Sequence, residues 1–134
     1  MSKRESTERP IATVRLNTSD PDQPIIKNTS KPFFDRDFGW VTCAEGCCFV
    51  EAKERMGKGG KLPGQQGNIN IMYIYHRSGE MPCETCRRQL QLASQMMGPF
   101  RVWGGTEEEL QYLDAVAGVL YGPFHVANDG EKGS

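Results

Sequence analysis

The sequence lacks the segments that would place it in or across a membrane. No apolar run approaches the roughly 18–20 residues of a transmembrane helix, so a membrane-spanning helix is excluded. Residues Met1–Pro10 contain no apolar segment, and we therefore expect no Sec-type signal peptide. A charge excess is lacking too, since 16 basic residues stand against 17 acidic ones. This balance excludes nucleic-acid binding through bulk charge alone but leaves room for local basic patches.

The length of the chain limits the number of domains. At 134 residues it can form one hydrophobic core and is too short for two. Hydrophobic residues make up 37% and charged residues 25%, a composition typical of a globular domain rather than of a disordered chain. We expect a flexible arm over 1–10, one folded domain over 11–127 and a flexible tail over 128–134.

Cysteine is the residue type whose count is most informative. The sequence contains five cysteines, and an odd number without a signal peptide argues against a disulfide scaffold and favours a metal site or a catalytic thiol. Cys43, Cys47 and Cys48 are close in sequence. Cys83 and Cys86 follow later, in the segment Pro-Cys-Glu-Thr-Cys. For Cys47 and Cys48 the alternative is a plain role as small apolar side chains in the core.

Hydrophobic periodicity predicts an α/β domain in which helices pack on the faces of a mixed β-sheet. The expected order of elements is β-β-α-β-α-β-α. Strands are predicted over 11–16, 24–28, 69–75 and 100–103, and helices over 43–56, 82–97 and 106–121. The strand at 69–75 is nearly continuous in apolar character and should be central. The aromatic-rich segment 31–41 and the glycine-rich segment 57–67 are predicted to be loops.

The third of these helices is predicted from a pattern at its start. Thr106-Glu-Glu-Glu109 has the form of a capping box, in which a threonine and a glutamate three residues later bond to each other's backbone. Leu110, Leu113, Ala117 and Leu120 then recur at helical spacing and should face the core.

Two predicted helix starts carry residues that suggest chemistry. The sequence Thr-Cys-Ala-Glu opens the first helix at residue 42, and Pro-Cys-Glu-Thr-Cys opens the second at residue 82. If neighbouring strand ends bring both starts to one cleft, Cys43, Cys83 and Cys86 could bind zinc tetrahedrally and leave a fourth position for water. The positive ends of the helix dipoles favour thiolates there. Glu45 is then close enough to serve as a general acid/base without binding the metal.

This pattern resembles the signature of the zinc-dependent cytidine deaminase superfamily, in which His or Cys, any residue and Glu are followed by Pro-Cys-x-x-Cys. Cys43-Ala-Glu45 and Pro82-Cys-Glu-Thr-Cys86 match it, and the predicted elements over about 11–121 fit the family's order. The resemblance implies a cytidine deaminase-like fold with zinc on the three matched cysteines. It implies that Glu45 shuttles protons while water attacks C4 of cytosine and ammonia leaves. It also implies that Asn28, at the end of the second strand, contacts the sugar or the base.

Two other interpretations of the same residues remain open. The spacing of Thr42 and Glu45 fits a helix capping box, which would give Glu45 a structural role. Cys47 lies one helical turn from Cys43 and could complete a closed four-cysteine site with the Cys-x-x-Cys pair. In that case the domain would be a non-catalytic structural zinc module.

The substrate class is a further choice within the resemblance. The motifs look like those of the small free-nucleoside cytidine deaminases, so a free cytidine or deoxycytidine deaminase is the second interpretation. The sequence lacks their helix before the first strand and their Asn-x-Glu nucleoside-binding motif. It is more similar to the compact deaminase domains at the ends of bacterial polymorphic toxins. That resemblance implies cytosine deamination in single-stranded DNA, with RNA or duplex DNA as other substrates. It also implies an immunity protein as partner, no membrane partner, and delivery without a Sec signal into the cytoplasm of the target cell.

Candidate contacts to nucleic acid come from lysines and tryptophans in or beside loops. Lys58 and Lys61 lie in the glycine-rich segment, where they could hold phosphates, although a solvated loop is the alternative. Trp40 and Trp103 could stack on unpaired bases, with burial in the core as the competing role. Trp103 is placed at the predicted exit of a strand that should border the cleft. His76 is interpreted as a surface or core residue and at most a minor contact in the cleft.

Overall fold

The structure is a computed structural model that describes residues 12–76 and 78–126. The predicted arm at 1–10 and the predicted tail at 128–134 lie outside the described residues. Within that part of the chain the strands and helices are, in order, β1 Thr13–Asn17, β2 Ile25–Thr29, β3 Phe33–Asp35, β4 Gly39–Val41, α1 Ala44–Gly57, β5 Asn70–Tyr75, α2 Glu84–Met97, β6 Phe100–Gly105, β7 Leu110–Val116 and β8 Val119–His125. None of the described helices is long and apolar enough to cross a membrane.

Six of these strands form one mixed sheet in the order β2-β1-β5-β6-β7-β8. β5 and β6 are parallel, because α2 carries the chain back between them, and all other neighbours are antiparallel. The prediction of an α/β domain with a mixed sheet is confirmed. The prediction that β5 is central is confirmed as well, since it is the third strand of the six.

The two faces of the sheet differ in what covers them. Leu16, Met72, Val102 and Leu113 are register partners across β1, β5, β6 and β7, and all four are fully buried. Both helices pack on this face, α1 over β1 and β2 and α2 over β7, and they contact each other. The opposite face carries the alternate residues of the same strands, and none of these is buried among the described residues. The expectation of helices on both faces is therefore not met in this part of the chain.

The third predicted helix is wrong, because residues 110–125 form the hairpin of β7 and β8. Thr106 Oγ1 accepts the backbone N–H of Glu109 at 3.0 Å, as a capping residue would. The backbone N–H of Thr106, however, donates to the carbonyl of Glu109 at 3.2 Å and closes a turn that returns the chain beside β6. Ala117 and Gly118 then both have positive φ angles, 51° and 85°. Positive φ at both central positions is the geometry of a two-residue hairpin turn and stops a helix.

The segment 31–41, predicted to be a loop, contains the short hairpin of β3 and β4. Asp35 Oδ2 accepts the backbone N–H groups of Asp37 and Phe38 at 2.9 and 3.0 Å and so shapes the turn. Lys53 on α1 donates to both carboxylate oxygens of Asp35 and holds the hairpin against that helix. The hairpin leads directly into Thr42, so it positions the start of α1.

Candidate metal centre

Three cysteines meet where the two helices begin. Cys43 is the N-cap residue of α1, Cys83 is the N-cap residue of α2, and Cys86 lies in the first turn of α2. No side chain caps either helix, so the capping-box interpretation of Glu45 does not describe this structure. The two N-cap carbonyls accept the first intrahelical bonds, and the cysteine side chains are left free to face each other.

The three sulfur atoms have the spacing of a metal site. They all lie within 4.8 Å of one another, and the Sγ atoms of Cys43 and Cys83 are 4.0 Å apart. A tetrahedral zinc ion with bonds of about 2.3 Å holds two sulfur ligands about 3.8 Å apart. Among the residues that the structure describes, no fourth cysteine, histidine or carboxylate joins the group. The cluster could therefore hold a metal ion with one position open.

The electrostatics of the cluster differ from one thiol to the next. Burial raises the pKa of Cys43, and burial together with the nearby Glu45 carboxylate raises that of Cys86. For Cys83, burial is outweighed by hydrogen bonds from the backbone N–H of Cys86 and from the two other thiols, so its pKa is lowered. Three thiolates this close repel one another, and a bound cation relieves that repulsion.

Glu45 lies beside the cluster in the first turn of α1 and is only 7% exposed. Burial raises its pKa, and a hydrogen bond with the Cys86 thiol offsets part of that rise. Glu45 lines a cavity of about 170 Å³ together with Cys43 and Cys83. The other residues of this cavity are Ala12, Ser30, Thr42, Ala44, Ile74, His76, Glu80 and Met81. The buried Glu45 thus lies against the same cavity as two of the three clustered cysteines.

His76 has a larger place in the site than the sequence interpretation gave it. It follows β5 directly, lines the 170 Å³ cavity and also lines a second, more open cavity beside it. Its Nδ1 accepts the backbone N–H of Ser78 at 3.1 Å, and its Nε2 lies 3.7 Å from the carboxylate of Glu80. Its position at the carboxyl end of a central strand next to a parallel strand is the signal that could have identified it.

Cys47 and Cys48 lie outside the cluster, as the open-site interpretation requires. The Cys47 thiol donates to the carbonyl of Lys31 at 3.6 Å and lines a different cavity. The Cys48 thiol is buried, donates to the carbonyl of Val14, and its pKa is raised by burial to about 12. The closed four-cysteine site is therefore not formed in this structure.

Asn28 is not brought to the cysteine cluster. Its Nδ2 donates to Glu51 Oε1 at 2.9 Å, and it lines the same separate cavity as Cys47, which none of the three clustered cysteines lines. The resemblance implies that this asparagine contacts the sugar or the base, and that role stays a prediction. The Asn28 carboxamide is hydrogen-bonded to a side chain of α1.

The predicted phosphate contacts are not brought to the cluster either. Lys58 is the C-cap residue of α1, whereas Cys43 is its N-cap residue. A helix of 14 residues rises about 21 Å, so the two residues lie at opposite ends. The carbonyl of Lys61 accepts the backbone N–H of Ser19 in the turn between β1 and β2, which also lies at the far end of the sheet.

The two tryptophans lie in different places and differ in exposure. Trp40 lies in β4, three residues before Cys43, and is 66% exposed. Its ring packs edge-on against that of Phe34, with the ring centroids 5.4 Å apart. Trp103 is not at a strand exit as predicted, because β6 continues through Gly105. It is half-buried on the helix-free face of the sheet, with its ring 5.0 Å from that of Tyr112.

Comparison with known proteins does not extend this picture. No family model matches the chain, and no curated protein and no solved structure matches it. What the molecule does is therefore to be inferred from the residues of the site.

Proposed function

We propose that the protein is a zinc-dependent deaminase that converts cytosine to uracil in single-stranded DNA. The observation that carries this proposal is the cluster of three cysteines, two of which line one cavity together with the buried Glu45. A closed four-ligand site would support a structural zinc module instead, but Cys47 bonds elsewhere. The order of elements from β1 to β6 also agrees with the deaminase-like fold that the two motifs suggest, and the hairpin after β6 departs from it.

Zinc is the metal proposed because three soft thiolates in a tetrahedral arrangement are a typical zinc ligand set. When bound there, it supplies the Lewis acidity that makes water nucleophilic at neutral pH. Cys43 and Cys83 come from helix starts 40 residues apart in sequence, and both are fixed by the first hydrogen bonds of their helices. The ligands are therefore held in place by the fold.

Glu45 performs the proton transfers in this proposal. Its carboxylate accepts a proton from the attacking water and delivers it to N3 of cytosine, and a second transfer gives the departing amino group the proton it needs to leave as ammonia. The products are uracil and ammonia, so one water is consumed for each base. Burial raises the pKa of Glu45, which helps the carboxyl group to hold a proton between these steps. His76 and Thr42 line the cavity and offer hydrogen-bonding groups to the base.

A bacterial toxin domain remains the biological setting we propose, with single-stranded DNA as substrate and an immunity protein as the partner that covers the cleft. Delivery without a Sec signal and action in the cytoplasm of the target cell belong to the same proposal, which comes from the sequence resemblance. Uracil left in DNA is mutagenic, because it pairs as thymine does. Free cytidine is the competing substrate, because a cavity of about 170 Å³ has room for a single base whether that base belongs to a nucleoside or to a strand.

The test combines metal analysis with a substrate series. The purified chain is incubated with cytidine, single-stranded DNA, duplex DNA and RNA, and uracil or uridine is quantified. We expect one zinc per chain, X-ray absorption that reports three sulfurs and one lighter ligand, and the fastest reaction on single-stranded DNA. Four sulfurs with no activity on any substrate would establish a structural zinc module, and turnover of cytidine alone would establish a nucleoside deaminase.

Glu45→Gln is the decisive variant, with Glu54→Gln on the exposed side of the same helix as its control. Loss of general acid/base catalysis typically costs about 10²–10⁴ in rate, while zinc content should stay at one per chain. Activity of Glu45→Gln within tenfold of the parent would remove Glu45 from the mechanism.

A further inference from the structure

The face of the sheet that bears no helix carries a row of aromatic side chains. Tyr73, Trp103, Tyr112 and Phe124 are consecutive register partners on β5, β6, β7 and β8. The ring centroids of Trp103 and Tyr112 are 5.0 Å apart, and those of Tyr112 and Phe124 are 5.2 Å apart. Four neighbouring strands spaced about 4.8 Å apart make this row about 14 Å long. None of the four side chains is buried.

The same row continues into basic residues. Arg15 on β1 is the register partner of Tyr73, and Lys27 on β2 is the partner of Arg15. Within the described residues neither cation forms a salt bridge. Asp114 is the one acidic residue on this face of the strands in that part of the chain, and Arg101 holds it with two hydrogen bonds of 2.8 and 2.9 Å. The face is therefore aromatic and positively charged, which is complementary to bases on a phosphate backbone.

The row also reaches the candidate metal centre. A second cavity, lined by Tyr75, His76 and Thr106 among others, shares Ile74 and His76 with the cavity of the cysteine cluster. The ring of Tyr75 stacks 6.5 Å from that of Tyr73, the first aromatic residue of the row. A strand whose target base enters the inner cavity could thus continue over the end of β5 onto the sheet.

We propose that this face, which we call the aromatic platform (Tyr73, Trp103, Tyr112, Phe124), binds single-stranded nucleic acid by stacking bases on its rings. Arg15 and Lys27 neutralise phosphates at its basic end. Any base can stack on an aromatic side chain, and the stacking contributes enough binding free energy to retain a single strand. A four-stranded sheet can stack two or three bases in this way. This proposal deepens the proposed function. It rests on that function only in identifying the bound strand as the substrate of the deaminase.

The binding test uses oligonucleotides without cytosine, so that it does not depend on deamination. The affinity of the full chain for a fluorescein-labelled 15-mer of deoxythymidine, and for the matching uridine 15-mer, is measured by anisotropy. Trp103→Leu should weaken binding at least about fivefold, the loss expected for one stacked base. Phe34→Leu, an exposed aromatic residue off the platform, is the matched control and should leave the affinity unchanged. Circular dichroism and a thermal melt establish that both variants are folded.

Two further readouts separate stacking from a structural effect. In a Trp40→Phe background Trp103 is the remaining tryptophan, and its fluorescence should be quenched as the oligonucleotide binds. Arg15→Gln should reduce the slope of log affinity against log salt by about 0.7, whereas Arg36→Gln, at an exposed position between β3 and β4, should not. Equal losses in Trp103→Leu and Phe34→Leu, or unquenched fluorescence at saturation, would overturn the platform.

The outcomes also distinguish this proposal from the proposed function. Binding of the 15-mer through Trp103 without uracil formation in any substrate leaves the platform standing and refutes the deaminase. Deamination of single-stranded DNA with 15-mer binding unaffected by Trp103→Leu refutes the platform alone. A dimer that dissociates in Trp103→Leu, with no binding of either 15-mer, would assign the face to a second copy of the chain and refute it too.

Discussion

Removing the metal should destabilise the fold by an amount that the positions of the ligands determine. Cys43 and Cys83 are 40 residues apart in sequence, so a metal bound to both closes a loop of that length. In the chain-entropy description, a cross-link closing a loop of 40 residues contributes about 4 kcal/mol, and for a domain of this size that corresponds to about 10–15 °C in Tm. Cys86 adds little to this stabilisation, because it lies in the same helix start as Cys83 and closes no further long loop.

The assay is thermal unfolding of the chelator-treated chain before and after addition of one equivalent of zinc. The quantity compared is the metal-dependent change in Tm, so that the cost of each substitution itself cancels. The parent should gain about 10–15 °C, and Cys83→Ser, at an exposed position, should gain almost nothing. Cys47→Ala is the matched control, because its thiol lies outside the cluster, and it should gain as much as the parent.

Two results would refute this reasoning. A parent whose Tm is indifferent to zinc would mean that the three thiols do not form a metal site that links the helices. Loss of the zinc-dependent gain in Cys47→Ala would mean that the fourth sulfur belongs to the site, and the closed module would replace the open one.

Three further predictions concern other parts of the molecule. Cys48, with a pKa raised by burial to about 12, should resist iodoacetamide at pH 8 in the native chain and react once urea unfolds it. Burial raises the pKa of Asp35, but the hydrogen bond from Lys53 outweighs it, and the pKa lies below its ordinary value of 3.8. The Tm of the parent should therefore exceed that of Lys53→Met fully near neutral pH. This difference should fade as the pH falls below about 4 and Asp35 becomes protonated. Gly118→Ala, at a φ of +85° against a glutamine side chain, should cost about 1–3 kcal/mol in urea unfolding, whereas Gly57→Ala should not destabilise.

The cysteine cluster could be predicted from the sequence because its three members are tied to local features. Cys43 precedes the first helical turn of α1, and Cys83 and Cys86 span the first turn of α2, so the two short motifs each fix their own geometry. The central apolar strand β5 supplied the remaining constraint, since it connects the two helix starts through one sheet. The positions of the cysteines along the sequence therefore indicated which of them lie close together in the structure.

The substrate contacts could not be predicted in the same way, because they depend on which end and which face of the sheet a residue occupies. Lys58 follows α1, and only the length of the helix shows that it lies far from Cys43. Asn28 faces α1, where Glu51 holds its amide. A sequence pattern gives the period of a strand but does not give the neighbour that its polar side chain meets.

One error in the sequence analysis is directly connected with the aromatic platform. The pattern over 106–121 has the leucine spacing of a helix, and the positive φ angles of Ala117 and Gly118 convert it into a hairpin. A helix over 106–121 would have left Tyr112 without a strand partner and Phe124 beyond its end, whereas the paired strands align these two residues opposite each other and place Tyr112 beside Trp103. Tyr112 and Phe124 are the residues that extend the platform to the edge of the sheet. The turn at 117–118 is therefore a determinant of the proposed binding surface as well as of the fold.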